Sequence, residues 1–175
     1  MCKSNNNSPV IKEALTKAMR LCSSKEYSSR GMMSKIISWG CSGEDAQSVI
    51  NMLTEQNFLD DRRYAEAFMN DKLRINKWGR IKISYMMRME GIDDEIIQTV
   101  IYDIDEASYE QLLKDELIKK RKTIKVKNID ELHNKLFRFA ASRGFESDII
   151  SQLVREIILS YRSRTILLFF PTTNK

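Results

Sequence analysis

The sequence predicts an all-α protein built as a tandem array of three three-helix modules, a helical repeat of elongated or crescent-like form. Three observations carry this. A unit recurs at residues 40–44, 91–95 and 144–148: Gly40-Cys41-Ser42-Gly43-Glu44, Gly91-Ile92-Asp93-Asp94-Glu95 and Gly144-Phe145-Glu146-Ser147-Asp148. An apolar ladder follows each glycine at matching positions, Ala46, Val49 and Ile50, then Ile97, Val100 and Ile101, then Ile150, Leu153 and Val154. Finally, the two prolines, Pro9 and Pro171, lie near the ends and only six glycines occur, too few for the many tight turns of a sheet protein. A period of about fifty residues marks small helical units that share a core with their neighbours and expose an extended surface.

Module by module, the chain reads as an arm at 1–8, three-helix modules at 9–57, 58–104 and 105–160, and an extension at 161–175. Ser8-Pro9 supplies a cap and a first-turn proline for a helix whose core face is Ile11, Leu15, Ala18, Met19 and Cys22. A second helix restarts at Ser28 or Ser29, carries Met32, Met33, Ile36, Ile37 and Trp39, and stops at Gly40, because glycine enters the left-handed region without steric cost. The third runs from Ser42 or Gly43 to about Gln56. Asp60 then caps a helix carrying Tyr64, Ala65, Phe68 and Met69, with Phe58 or Leu59 as its hydrophobic staple. Trp78-Gly79 breaks the chain before Ile81, Ile83, Met86, Met87 and Met89, Gly91 ends that helix, and Asp93 and Asp94 stand at the positive end of the next. The last module starts near Glu106, passes a basic link at 119–128, restarts at a cap on Asp130 with Leu136 and Ala140 on its core face, and ends in a helix from Ser147 to about Tyr161.

A net charge of +5 makes an anionic partner plausible. Cys2, Cys22 and Cys41 have no paired spacing and read as free thiols, Cys41 as a small buried anchor equivalent to Ile92 and Phe145. With His133 as the single histidine there is no metal-ligand spacing, and no nucleophile–base pair or phosphate-cradling loop suggests an enzyme. The polar start lacks a signal-peptide core, and 166–170 is too short to cross a bilayer. A cytoplasmic monomer without cofactor, membrane contact or small-molecule substrate is expected.

Two basic groups are candidate contacts. Lys72, Arg74, Lys77, Arg80, Lys82 and Arg88 form one in the middle module, with Arg74, Lys77, Arg80 and Lys82 about Trp78-Gly79, and Lys119, Lys120, Arg121, Lys122, Lys125 and Lys127 form a run without an acid. Either group suits phosphates or an acidic protein surface. The alternatives are a solvated linker and side chains that cover a module flank. Among Asp93, Asp94, Glu95, Asp103, Asp105, Glu106 and Glu110 the first three read as helix N-caps, no basic or histidine partner completes a catalytic or metal-binding geometry, and the segment would repel nucleic acid. Trp39, Trp78, Phe58 and Phe145 sit at helix ends as anchors, while Tyr85 lies off the apolar stripe as an exposed contact.

The linked pattern Phe58-Leu59-Asp60-Asp61-x-Arg63-Tyr64-Ala65-x-x-Phe68, Lys77-Trp78-Gly79-Arg80-x-Lys82-Ile83, Gly91-Ile92 and Ser142-Arg143-Gly144-Phe145 resembles the bacterial regulatory protein RecX family over residues 12–158. The resemblance implies a non-catalytic protein that lodges in the groove of the RecA filament on single-stranded DNA and modulates, mainly by inhibition, its assembly, ATPase and recombination, DNA-repair and SOS activities. The segment 70–76 and the tail after Ser160 depart from the family pattern. The rival reading is a stand-alone nucleic-acid binder of helix-turn-helix-like modules.

Overall fold

The computed structural model describes residues 9–169, with side chains through Ser160. The expected arm at 1–8 and the last residues of the extension lie outside the described residues. Among those described, nine helices follow one another: α1 (Pro9–Cys22), α2 (Ser29–Ser38), α3 (Gly43–Glu55), α4 (Asp61–Arg74), α5 (Arg80–Met89), α6 (Asp94–Tyr102), α7 (Glu106–Thr123), α8 (Ile129–Ser142) and α9 (Ser147–Phe169).

Local chemistry sets most of these boundaries. The Ser28, Ser42, Asp93 and Asp105 side chains each accept a first-turn N–H, of Gly31, Asp45, Glu95 and Ser108. Asp60 accepts those of Arg62 and Arg63 at 2.8 and 3.0 Å. Gly40, Gly91 and Gly144 have φ of 96, 79 and 81°, the left-handed stops that the repeat predicts.

Three expectations are corrected. The basic link at 119–128 is not wholly a connection, for α7 continues through Thr123 and makes Lys119, Lys120, Arg121 and Lys122 helical. Lysine and arginine are good helix formers, and cations are favoured beside the exposed carbonyls of a helix C-terminus. Asn128, not Asp130, caps α8: its side chain accepts the Glu131 N–H at 2.8 Å, while Glu131 accepts the Lys127 N–H at 2.8 Å. The last helix passes Tyr161 and reaches Phe169, since no glycine or proline intervenes between Gly144 and Pro171.

The repeated positions form the core. Met32 and Ile36, Ile83 and Met87, and Leu136 and Ala140 are all 0% exposed, and the residue after each glycine, Cys41, Ile92 or Phe145, is buried. Of the ladder residues only Ile101 is half-buried, the others being buried. Each fully buried large side chain contributes about 1.5–3 kcal/mol against the entropy of ordering. Cys22 and Cys41 are free thiols, and burial raises the pKa of both.

The chain divides into two compact units, one holding residues through Asp71 with 84–103, the other 72–83 with the chain from Ile104. α4 and α5 contribute residues to both. In the first unit α1, α2 and α3 pack on one another; in the second α7, α8 and α9 do.

A similar joint occurs inside each unit, where the start of one helix meets the glycine turn that follows another. In the first unit the chain entering α2 meets the turn after α5. Ser28 Oγ donates to Glu90 at 3.1 Å, Arg30 to the Met89 carbonyl at 3.1 Å, and the Ser29 N–H to Asp61 at 2.7 Å. In the second unit the chain entering α5 meets the turn after α8. The Gly79 N–H donates to the Arg143 carbonyl at 2.8 Å and the Ile81 N–H to the Gly144 carbonyl at 3.1 Å. A Cβ on Gly79 would overlap the Gly144 carbonyl, and one on Gly144 would overlap Lys82. Side chains take part in every hydrogen bond of the first joint, whereas the second also has direct main-chain to main-chain bonds.

Candidate partner-binding surface

Of the basic residues named as candidate contacts in the sequence, Arg88 pairs with Asp94 at 2.6 Å and belongs to the first unit, and the other eleven belong to the second. They lie on the last turn of α4, the connection to α5, the first turn of α5, the end of α7 and the connection to α8.

At the α4–α5 connection, Lys77 takes a φ of 56° to reverse the chain, and the Trp78 N–H returns to the Lys72 carbonyl at 3.1 Å. This places Trp78, half-buried, beneath two ammonium groups, with Lys72 Nζ 5.4 Å and Lys82 Nζ 4.5 Å from its ring centroid. Such contacts are worth about 0.5–1 kcal/mol at exposed sites and hold the lysines near one another. Arg74 is exposed at the end of α4.

Arg80 has different surroundings. Its guanidinium lies 2.6 Å from Glu106 and 3.5 Å from Glu146, and its Cζ stands 4.1 Å from the Tyr109 ring centroid. The hydrogen bond to Glu106 raises the Arg80 pKa and holds the Glu106 carboxyl below its usual range. Its side chain is only 18% exposed. This arginine ties α5 to α7 and to the turn before α9.

Within the cationic run, Lys119 pairs with Glu116 at 3.0 Å, and Glu116 also receives Arg143 at 3.5 Å. Lys119 and Lys77 line one open cleft of about 500 Å³ along α7, with Ser108, Gln111, Asp115 and Glu116. Residues from the two sequence clusters therefore meet in one cleft. Lys120 and Arg121 are half-buried on α7, while Lys122, Lys125 and Lys127 are exposed.

Three further cations were missed in the sequence. Lys135 and Arg138 on α8 line an open groove with Lys120 and Lys125, and Arg143 stands with its Cζ 4.5 Å from the Phe139 ring centroid. The signal was the i, i+3 spacing of Lys135 and Arg138 on the polar side of an otherwise core-forming helix.

Among the described residues no cluster of potential ligands could hold a metal ion, and no helix is long and apolar enough to cross a membrane. The chemistry offered is charge pairing and apolar contact.

Comparison with known proteins supplies the family context. Residues 60–101 match the family model for the second three-helix domain of RecX, and residues 108–154 that for the third. Regulatory protein RecX of Clostridium botulinum (strain Eklund 17B / Type B) is 34% identical over 121 residues, a stretch covering 66% of this chain and 56% of that protein. The protein of the same name from Clostridium tetani (strain Massachusetts / E88) is 28% identical, over 82% of this chain and 66% of its own length. That of Neisseria meningitidis serogroup A / serotype 4A (strain DSM 15465 / Z2491) is 29% identical, over 82% of this chain and 90% of its own length. The chain thus spans about half to two thirds of the clostridial relatives it matches. The crystal structure of RecX from Lactobacillus salivarius superimposes with a TM-score of 0.78 at 19% identity, over 86% of this chain and 97% of that one, a likeness of fold.

Proposed function

As the chain belongs to the RecX family of regulatory proteins, we propose that it binds the RecA filament on single-stranded DNA and restrains the filament's assembly, ATPase and recombination, repair and SOS activities without catalysing a reaction. On this reading it acts in the cytoplasm as a monomer, through the modules 9–57, 58–104 and 105–160. Successive modest contacts along a filament add through effective concentration, so no single tight site is required. DNA is met inside the filament or directly through the basic residues of the second unit.

The observation that carries this reading is the charge of the helix after each glycine turn. In a helix-turn-helix protein that helix enters the major groove and presents base-reading side chains. Here α3 and α6 contain no lysine or arginine and both have two acids in the first turn, while α9 has Asp148 in its first turn but also carries Arg155 further along. Helices charged like α3 and α6 repel phosphates. The stand-alone nucleic-acid reading thereby loses the usual groove reader of the first two modules, while a charged protein assembly remains a suitable partner.

Sedimentation tests the proposal. The chain should pellet with RecA filaments formed on oligo(dT), and should associate more weakly with bead-immobilised oligo(dT) lacking RecA at about 0.15 M salt, where interactions are screened within about 8 Å. Equal association with bare oligo(dT), falling steeply with salt, would instead support the nucleic-acid binder.

A further inference from the structure

The end of α7, the connection into α8 and the exposed side of α8 frame an open surface groove of about 460 Å³, lined by Lys120, Ile124, Lys125, Lys135, Arg138 and Phe139. Its lining includes four cations and no carboxylate. The nearby acid is Glu131, which holds Lys135 at 2.7 Å, while Lys135 also donates to the Lys125 carbonyl at 3.0 Å. Ile124 leaves the helix in an extended conformation, φ −98° and ψ 136°, and together with Phe139 supplies the apolar part of the lining.

An occupant must therefore offer negative charge and an apolar group together. Cations alone would accept any polyanion, but water over Ile124 and Phe139 is displaced favourably only by apolar surface. The Phe139 ring already has Lys120 Nζ at 5.3 Å and Arg143 Cζ at 4.5 Å from its centroid. A nucleobase stacking on that ring would compete with these cations for its faces. A peptide side chain can pack on Ile124 and the ring edge with both cations in place, leaving them to face its neighbouring carboxylates.

We propose that this open groove is a docking site for an acidic peptide segment with one apolar anchor residue. The anchor packs on Ile124 and Phe139, and flanking carboxylates pair with Lys120, Lys125, Lys135 and Arg138. The proposal rests on the protein-regulator reading for the class of partner and adds the recognition element that partner would present.

The test is fluorescence anisotropy with the full chain and a labelled synthetic peptide of Asp and Glu around one central Phe, with no recombinase or filament present. Three comparisons accompany it: the peptide with Ser for Phe, the peptide with Asn and Gln for its acids, and oligo(dT) of matched charge. The Phe peptide should bind at least about tenfold more tightly than the Ser peptide, as loss of a buried large apolar side chain implies. The amide peptide should show no saturable binding, and Ile124→Asp and Arg138→Glu should each weaken the acidic peptide about tenfold or more. Equal binding of the Phe and Ser peptides, no binding of either, or tighter oligo(dT) binding unaffected by Ile124→Asp would overturn the proposal. Because the assay omits RecA, failure here removes the groove alone, whereas failure of filament sedimentation removes the regulatory reading.

Discussion

Tyr109 donates its phenolic proton to Glu146 at 2.6 Å, and its oxygen accepts the Arg80 backbone N–H at 3.0 Å. Tyr109 is 1% exposed, so α7 projects a buried hydroxyl that links the start of α5 to the turn before α9. The Phe145 ring, centroid 5.3 Å away, covers the same side chain. Tyr109→Phe leaves the packing in place but removes a donor from Glu146 and an acceptor from Arg80. It should cost about 1–3 kcal/mol, the range for leaving buried hydrogen-bonding groups without a partner. Urea denaturation should show a lower midpoint with unchanged slope; an unchanged midpoint would mean that the hydroxyl contributes nothing to this joint.

Glycine substitutions separate steric contact from backbone freedom. At Gly79 a Cβ would strike the main chain of Gly144, which cannot yield like a side-chain tip, so Gly79→Ala should destabilise by at least about 1–3 kcal/mol. Gly43 opens α3, has nothing within 4 Å of a built Cβ and no positive φ, so Gly43→Ala should be neutral or stabilise by up to about 1 kcal/mol. Thermal melts of the two variants should move in opposite directions, or with Gly43→Ala unmoved.

Alkaline pH gives a signed test in the first unit. Burial foremost, then Glu90 and Asp61, push the Tyr64 pKa up to about 12. An unfolded tyrosine ionises near pH 10, so between about pH 10 and 12 the unfolded chain binds fewer protons than the native one. Stability from this group is fully present below pH 10 and lost as pH rises through 12. Tyr64→Phe should reduce the fall in unfolding free energy over that window, and phenolate absorbance should show one fewer late-ionising group.

Charge reversal distinguishes the two basic clusters. Lys122, Lys125 and Lys127 are exposed, so changing all three to Glu should alter stability by about 0.5 kcal/mol or less per site. The same variant should lower affinity for RecA filaments at least about tenfold. Arg80→Glu should instead lower the melting temperature, because it places a third carboxylate beside Glu106 and Glu146. A melting temperature that drops for the triple variant and holds for Arg80→Glu would reverse this division of roles.

Much of the local architecture was legible because its causes are local. Positions such as Met32, Ile36, Ile83 and Met87 recur at helical spacing before a glycine stop, and they form the core. The joints were hidden for the complementary reason. Ser28 meets Glu90, and Gly79 meets the turn at Gly144, across long stretches of chain whose separation leaves no periodic signature. The basic run looked like a connection because four adjacent cations read as solvated chain, yet lysine and arginine suit a helix C-terminus. Among the candidate contacts, composition marked Arg80 as one more cation; only its carboxylate neighbours reveal its structural task. Lys135 and Arg138 carry little signal in the sequence because the periodicity of α8 marks its core face, and the groove they line takes shape only beside Lys120 and Lys125.

The most direct test of the central claim is the single-stranded-DNA-dependent ATPase rate of the cognate RecA, titrated with this chain. Filament-level regulation predicts inhibition well below one chain per RecA protomer, because each bound chain affects several successive subunits. An unchanged ATPase rate at stoichiometric excess, with the chain still binding bare single-stranded DNA, would contradict it.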